Sequence, residues 1–98
     1  LIYLNYSGRD DIHNAFFSLK KYKINNFKNI QNFLLTAKIP EPDLLIRSGG
    51  FKRLSDFMLY QISFTELFFS NKLWPDINTT DIKKYINKFN KIDRKFGN

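Results

Sequence analysis

The sequence predicts an α/β domain with a parallel sheet and flanking helices, and three observations carry that prediction. Two short runs, residues 1–4 and 44–46, are apolar at every position, as strands buried on both faces of a parallel sheet are. Between them, Ile12, Ala15, Phe16 and Leu19 recur at helical spacing. The resulting order of strand, helix, helix, loop and strand is one right-handed crossover unit. Over the whole chain this reading gives about two strands and three to four helices. Two strands make a poor sheet on their own, and the chain opens inside a strand-like run without Met. Further strands are therefore expected, either N-terminal to residues 1–98 or supplied by another chain.

Taken in order, residues 1–4 are a strand, broken by Asn5-Tyr6-Ser7-Gly8. Asp10 and Asp11 follow where the first turn of a helix favours negative charge, which places a helix over residues 9–22. His13, the only histidine, has no Cys or His companion and reads as a surface residue. Asn25-Asn26 is a break, and Phe27, Ile30 and Leu34 mark a shorter helix ending near Thr36. Residues 38–42, with two prolines, are a loop into the central strand at 44–46. Residues 54–61 read as a short helix, and residues 64–68 as an extended segment. Leu73-Trp74-Pro75-Asp76 is a rigid turn with an aromatic anchor, and residues 78–81 supply N-cap chemistry. The last helix carries an apolar stripe of Ile82, Tyr85, Ile86, Phe89 and Phe96 opposite Lys83, Lys84, Lys88 and Lys91, and Gly97 reads as its stop. Such a helix packs on a core more often than on a membrane.

Composition narrows the function classes. An apolar content of 43% with 11 Phe belongs to a globular chain, not a disordered one. The absence of cysteine excludes disulfides and thiolate metal sites and suits a reducing compartment. A net charge of +7 favours anionic partners, although most of the lysines read as solvated helix faces.

The stretch over residues 42–76 carries the chemistry. Its strand ends in Ser48-Gly49-Gly50, where a sharp turn can present backbone N–H groups, and Arg47, Lys52, Arg53 and Ser55 surround that turn. Guanidinium forks bind phosphate oxygens bidentately, and glycine leaves room for close approach. On chemistry alone this reads as an anion site, the alternative being a strand-to-helix turn with solvated basic residues around it. Glu66 lies among Phe64, Leu67, Phe68 and Phe69. There an ionised carboxylate needs a metal, a partner such as Arg53, or water at a strand edge.

The segments PDLLIRSGG, RLSDFMLYQ, FTELFF and LWPD resemble, in order and spacing, the C-terminal third of the cis-prenyltransferases, the undecaprenyl diphosphate synthase family. LNYSGRDDI and the terminal RKFG extend the resemblance to essentially the whole chain. It implies condensation of isopentenyl diphosphate with an allylic diphosphate, with a cis double bond formed at each step. It also implies that Arg47, Arg53 and Ser55, with Gly49 and Gly50, hold the isopentenyl diphosphate, and that Glu66 helps bind Mg2+. Asn5, Arg9, Asp43 and Gly97 fall near the site. The family is typically dimeric, which implies a homodimer. A cytoplasmic or bacterial-type organellar location follows, with membrane contact through the product and no nucleic-acid partner.

The sequence departs from the family pattern at several positions. Phe51 replaces an acidic residue, Lys95 an arginine that reaches the partner subunit, Ser7 a glycine, Asp56 an asparagine and Tyr60 a tryptophan. The family's Asp-Gly-Asn motif, which carries the catalytic aspartate, is not in these 98 residues. The stretch is thus expected to be inactive by itself. Two other classes compete with a synthase: a non-catalytic accessory subunit, and a basic nucleic-acid-binding module, which has no recognisable motif here.

Overall fold

The computed structural model describes residues 5–96, so the strand expected over residues 1–4 and the stop expected at Gly97 lie outside the described residues. The chain forms two units, one of residues up to Glu41 with Leu54–Ser63, the other of Pro42–Arg53 with Phe64 onward.

In the first unit, helix α1 spans Gly8–Lys21, close to its expected bounds. Ser7 caps it by accepting from the Asp10 amide, and Asp10 and Asp11 sit in its first turn. Ala15 and Leu19 of its apolar stripe are buried, whereas Phe16 is 43% exposed. The helix ends in a Schellman motif: the Lys23 amide donates to Lys20 and the Ile24 amide to Leu19. Lys23 takes the left-handed conformation there, with φ 56°. The shorter helix is a 3-10 helix over Phe27–Phe33, capped by Asn26, and gives way to turns that bury Leu34 and Thr36.

The helix expected over residues 54–61 is not formed. Ser55, Asp56 and Met58 have φ of 49°, 63° and 44°, which no right-handed helix allows, and the segment is a series of turns. The cause lies in tertiary contacts. The Asp56 carbonyl accepts from the Gly8 amide at 2.7 Å, and its carboxylate meets Ser7 and Arg9 at the start of α1. A Cβ on Gly8 would come within 2.9 Å of that carbonyl, so only glycine permits this approach.

In the second unit, strands β1, Leu44–Arg47, and β2, Glu66–Phe69, pair in parallel with Leu44 opposite Glu66 and Arg47 opposite Phe69. The parallel α/β class is as predicted, but β1 is half-buried along its length rather than fully buried. The second strand starts two residues later than expected, and just before it Thr65 bonds the Pro42 carbonyl through its hydroxyl at 2.6 Å. Trp74 is no anchor: it is 74% exposed, in a 3-10 turn over Trp74–Asp76.

Helix α2 covers Thr79–Asn90 and opens on a capping box between Asn78 and Asp81. It stops at Asn90, well before Gly97, so Phe96 does not belong to its stripe. Tyr85 packs on Phe68 with ring centroids 5.4 Å apart, but Ile82 and Ile86 are about 40% exposed and no residue of the helix is buried.

Candidate functional site

The anion loop leaves the C-terminal end of β1, where α/β folds place ligand groups. Gly49 and Gly50 have φ of 97° and 85°, so the turn itself requires glycine. Their amides do not face outward as the sequence suggests. The Gly49 amide donates to the Lys72 carbonyl at 2.8 Å and the Gly50 amide to that of Ser70 at 2.9 Å, so the turn after β1 is tied to the one after β2. The glycines shape the loop, and the cationic side chains around it are Arg47, Lys52 and Arg53.

Those side chains converge. The Arg47 guanidinium donates through Nη1 to the Arg53 carbonyl, which closes the loop. Both guanidiniums lie against the Phe51 ring, Arg53 at 4.5 Å and Arg47 at 5.7 Å from its centroid. Arg53, Lys52 and Phe51 are exposed, and Arg47 is half-buried. Two guanidiniums thus share one aromatic ring at this turn. Ser55 belongs to the first unit, in the left-handed stretch beside Asp56.

Asp43 and Glu66 lie together at the opposite, N-terminal end of the sheet, where the Glu66 amide donates to the Asp43 carbonyl at 3.0 Å. Their shared cation is Arg94, not Arg53. Arg94 donates to the Asp43 carboxylate at 2.6 Å and to the Phe64 carbonyl at 2.8 Å, and its Nε lies 3.9 Å from Glu66 Oε1. The guanidinium is also 4.5 Å from the Phe96 ring centroid and 5.2 Å from that of Phe89. Only 15% of the Arg94 side chain is exposed, and its Nε has no hydrogen-bond acceptor.

Two carboxylates suffice for magnesium when phosphate oxygens and waters complete its shell. Here Arg94 already lies against both, and three residues of strand, about 10 Å, separate the level of Glu66 from that of Arg47. As arranged, these residues do not fit one ion that touches Glu66 and a phosphate at the Arg47 loop. No cluster of three acidic or histidine side chains occurs among the described residues.

The remaining candidates fall in the first unit. Asn5, exposed with φ 53°, lines a cavity of about 220 Å³ with Ser7, Asp10, Asp11 and Asn14. Arg9 is exposed and reaches Asp56 Oδ1 at 3.9 Å through Nε. Ser7 Oγ donates to Asp56 Oδ2 at 2.6 Å and the Arg9 amide to Oδ1 at 3.0 Å. Mainly through the Ser7 bond, with help from Arg9, the Asp56 carboxyl is held below the ordinary aspartate range.

Sequence reasoning missed Asp11 as a buried hub. It accepts from the Tyr6 hydroxyl, the Leu35 amide and Gln61 Nε2, all at 2.9–3.0 Å. Its position among first-turn acids hid that role. Its i and i+4 neighbour Ala15 on the buried face was the available signal.

The family described as "Putative undecaprenyl diphosphate synthase" matches residues 1–97. The chain belongs to that family. An isoprenyl transferase of Helicobacter pylori is 43% identical over 101 residues, covering 96% of this chain and 43% of its own length. The crystal structure of a probable undecaprenyl diphosphate synthase from Campylobacter jejuni superposes with a TM-score of 0.88 at 33% identity, over 97% of this chain and 45% of that one. Lavandulyl diphosphate synthase from Lavandula x intermedia, solved with dimethylallyl diphosphate, gives 0.82 at 34% identity over 97% and 44%. This cis-prenyltransferase chain thus spans less than half the length of the relatives it matches.

Proposed function

We propose that this chain is the isopentenyl diphosphate-binding part of a cis-prenyltransferase that extends an allylic diphosphate to a polyprenyl diphosphate. The observation that carries the reading is the convergence of Arg47 and Arg53 on one glycine turn at the C-terminal end of a parallel strand. Their guanidiniums would hold the diphosphate and offset the charge that grows on it as the bond to carbon breaks, with Ser55 as a further donor. The allylic partner enters the proposal from the relatives, one of which was solved with dimethylallyl diphosphate. In this reading the catalytic aspartate lies outside these 98 residues, so the chain binds without turning over. Its working form is a homodimer in which Lys95 stands where the family's pattern has an arginine. A lysine keeps the charge there but loses the bidentate fork.

The family's magnesium would call on Glu66, which here lies against Arg94 and about 10 Å from the level of Arg47, so binding of the diphosphate by the arginine loop is expected without the ion. The test is calorimetric titration with isopentenyl diphosphate, with and without MgCl2, on the wild-type chain and on Arg47→Ala and Arg53→Ala. Loss of one charged phosphate contact is expected to weaken binding by roughly tenfold or more. Unchanged affinity in both variants, together with salt-sensitive binding of single-stranded RNA, would overturn the reading in favour of a nucleic-acid module.

A further inference from the structure

The Phe51 ring is 52% exposed and lies in a loop that has no acidic residue between Arg47 and Ser55. It contributes little to a core, yet both guanidiniums of the loop contact it, at 4.5 and 5.7 Å from its centroid. Two like charges held this close repel each other, and a flexible turn would relax by swinging them apart. An aromatic face attracts both through its quadrupole and adds no charge of its own.

We propose that Phe51 is a positioning residue of the anion loop, which holds the Arg47 and Arg53 guanidiniums together on its ring so that a diphosphate meets them already ordered. The inference rests on the reading of this loop as an anion site and adds how the site is preorganised. Preorganised donors lose less conformational freedom on binding, which is where the gain in affinity arises.

The test uses inorganic pyrophosphate as the probe, titrated into the wild-type chain, Phe51→Ala, Phe51→Trp and Arg53→Ala. Phe51→Ala is expected to weaken binding about two- to fivefold, the range of an exposed cation–π contact. Phe51→Trp is expected to keep wild-type affinity. A second measurement needs no ligand. The Arg53 Nε–H proton signal should move upfield in the ring current of Phe51 and return to the ordinary arginine position in Phe51→Ala.

Wild-type affinity in Phe51→Ala, or an Arg53 signal that ignores the substitution, overturns the inference. If Arg53→Ala weakens binding and Phe51→Ala does not, the anion site stands and only the role of Phe51 falls. If the wild-type chain does not bind pyrophosphate, both fall.

Discussion

Single residues in this chain act through partners far away in sequence. Asp56 is held by the Ser7 hydroxyl, 49 positions earlier, and by the Arg9 amide. Ser7 and Asp56 are two of the departures from the family pattern, and they form one hydrogen bond between them. Because the folded-state pKa of Asp56 is lowered, its ionised form is favoured by folding. That contribution is complete above the unfolded pKa and disappears as pH falls through the lower folded value. Urea midpoints of the wild type should therefore exceed those of Asp56→Asn at pH 7 and begin to converge with them as pH falls below about 3.8. A gap that persists into acid would assign the effect to shape rather than charge. Arg94 is the second case. Replacing it with Met keeps much of the stem but removes a charged bond to the Phe64 carbonyl and two ring contacts. Asp43 is 70% exposed and can return to water, so the loss stays below that of a fully buried pair. We expect about 2 kcal/mol from the hydrogen-bond and cation–π terms, measured by urea unfolding. A change under a few tenths would mean that Arg94 does not tie the C-terminal segment to the sheet.

At the scale of elements, the two helices differ in how their ends were written in the sequence. The start of α2 is spelled out by Asn78 and Asp81 three residues later, and the capping box forms as those residue types dictate. The end of α1 has no glycine to announce it. Lys23 instead occupies the left-handed position of the Schellman motif, with φ 56°, and its amide bond to Lys20 stays intact whatever its side chain. A non-glycine residue costs roughly 1 kcal/mol in that conformation. Lys23→Gly should recover most of this despite the added freedom of the unfolded chain, and raise the thermal midpoint by a few degrees. A lower midpoint would show that the Lys23 stem contributes packing that outweighs its backbone strain. The turns over residues 54–61 present the opposite problem. Their apolar composition suits a helix, but three left-handed residues bring Asp56 to the start of α1, a contact no local pattern encodes.

For the whole molecule, what could be read from the sequence was what local pattern encodes: the parallel α/β class, α1, the cap of α2 and the composition of the anion loop. What could not be read depends on long-range pairing. Arg94 binds residues 30 and 51 positions away and also lies against Glu66, in place of the Arg53 pairing that the sequence had left open beside a metal or water. The glycine amides of the loop are likewise taken up by Ser70 and Lys72, beyond reach of a reading confined to the turn. Charge is the one molecular property that composition shows directly, and +7 raises the question of whether a diphosphate would bind anywhere on the surface. The lysines of α2 are exposed and spread along the helix, whereas Arg47 and Arg53 share one ring. At 0.15 M salt the screening length is about 8 Å, so charges outside the site contribute little to affinity there. A triple Lys83→Ala, Lys84→Ala, Lys88→Ala chain should then keep pyrophosphate affinity within about twofold at 0.15 M and lose several-fold only at 0.01 M, where screening extends to about 30 Å. Arg53→Ala should lose affinity at both. A triple variant as weak as Arg53→Ala at 0.15 M would mean that the basic surface, not the loop, attracts the anion.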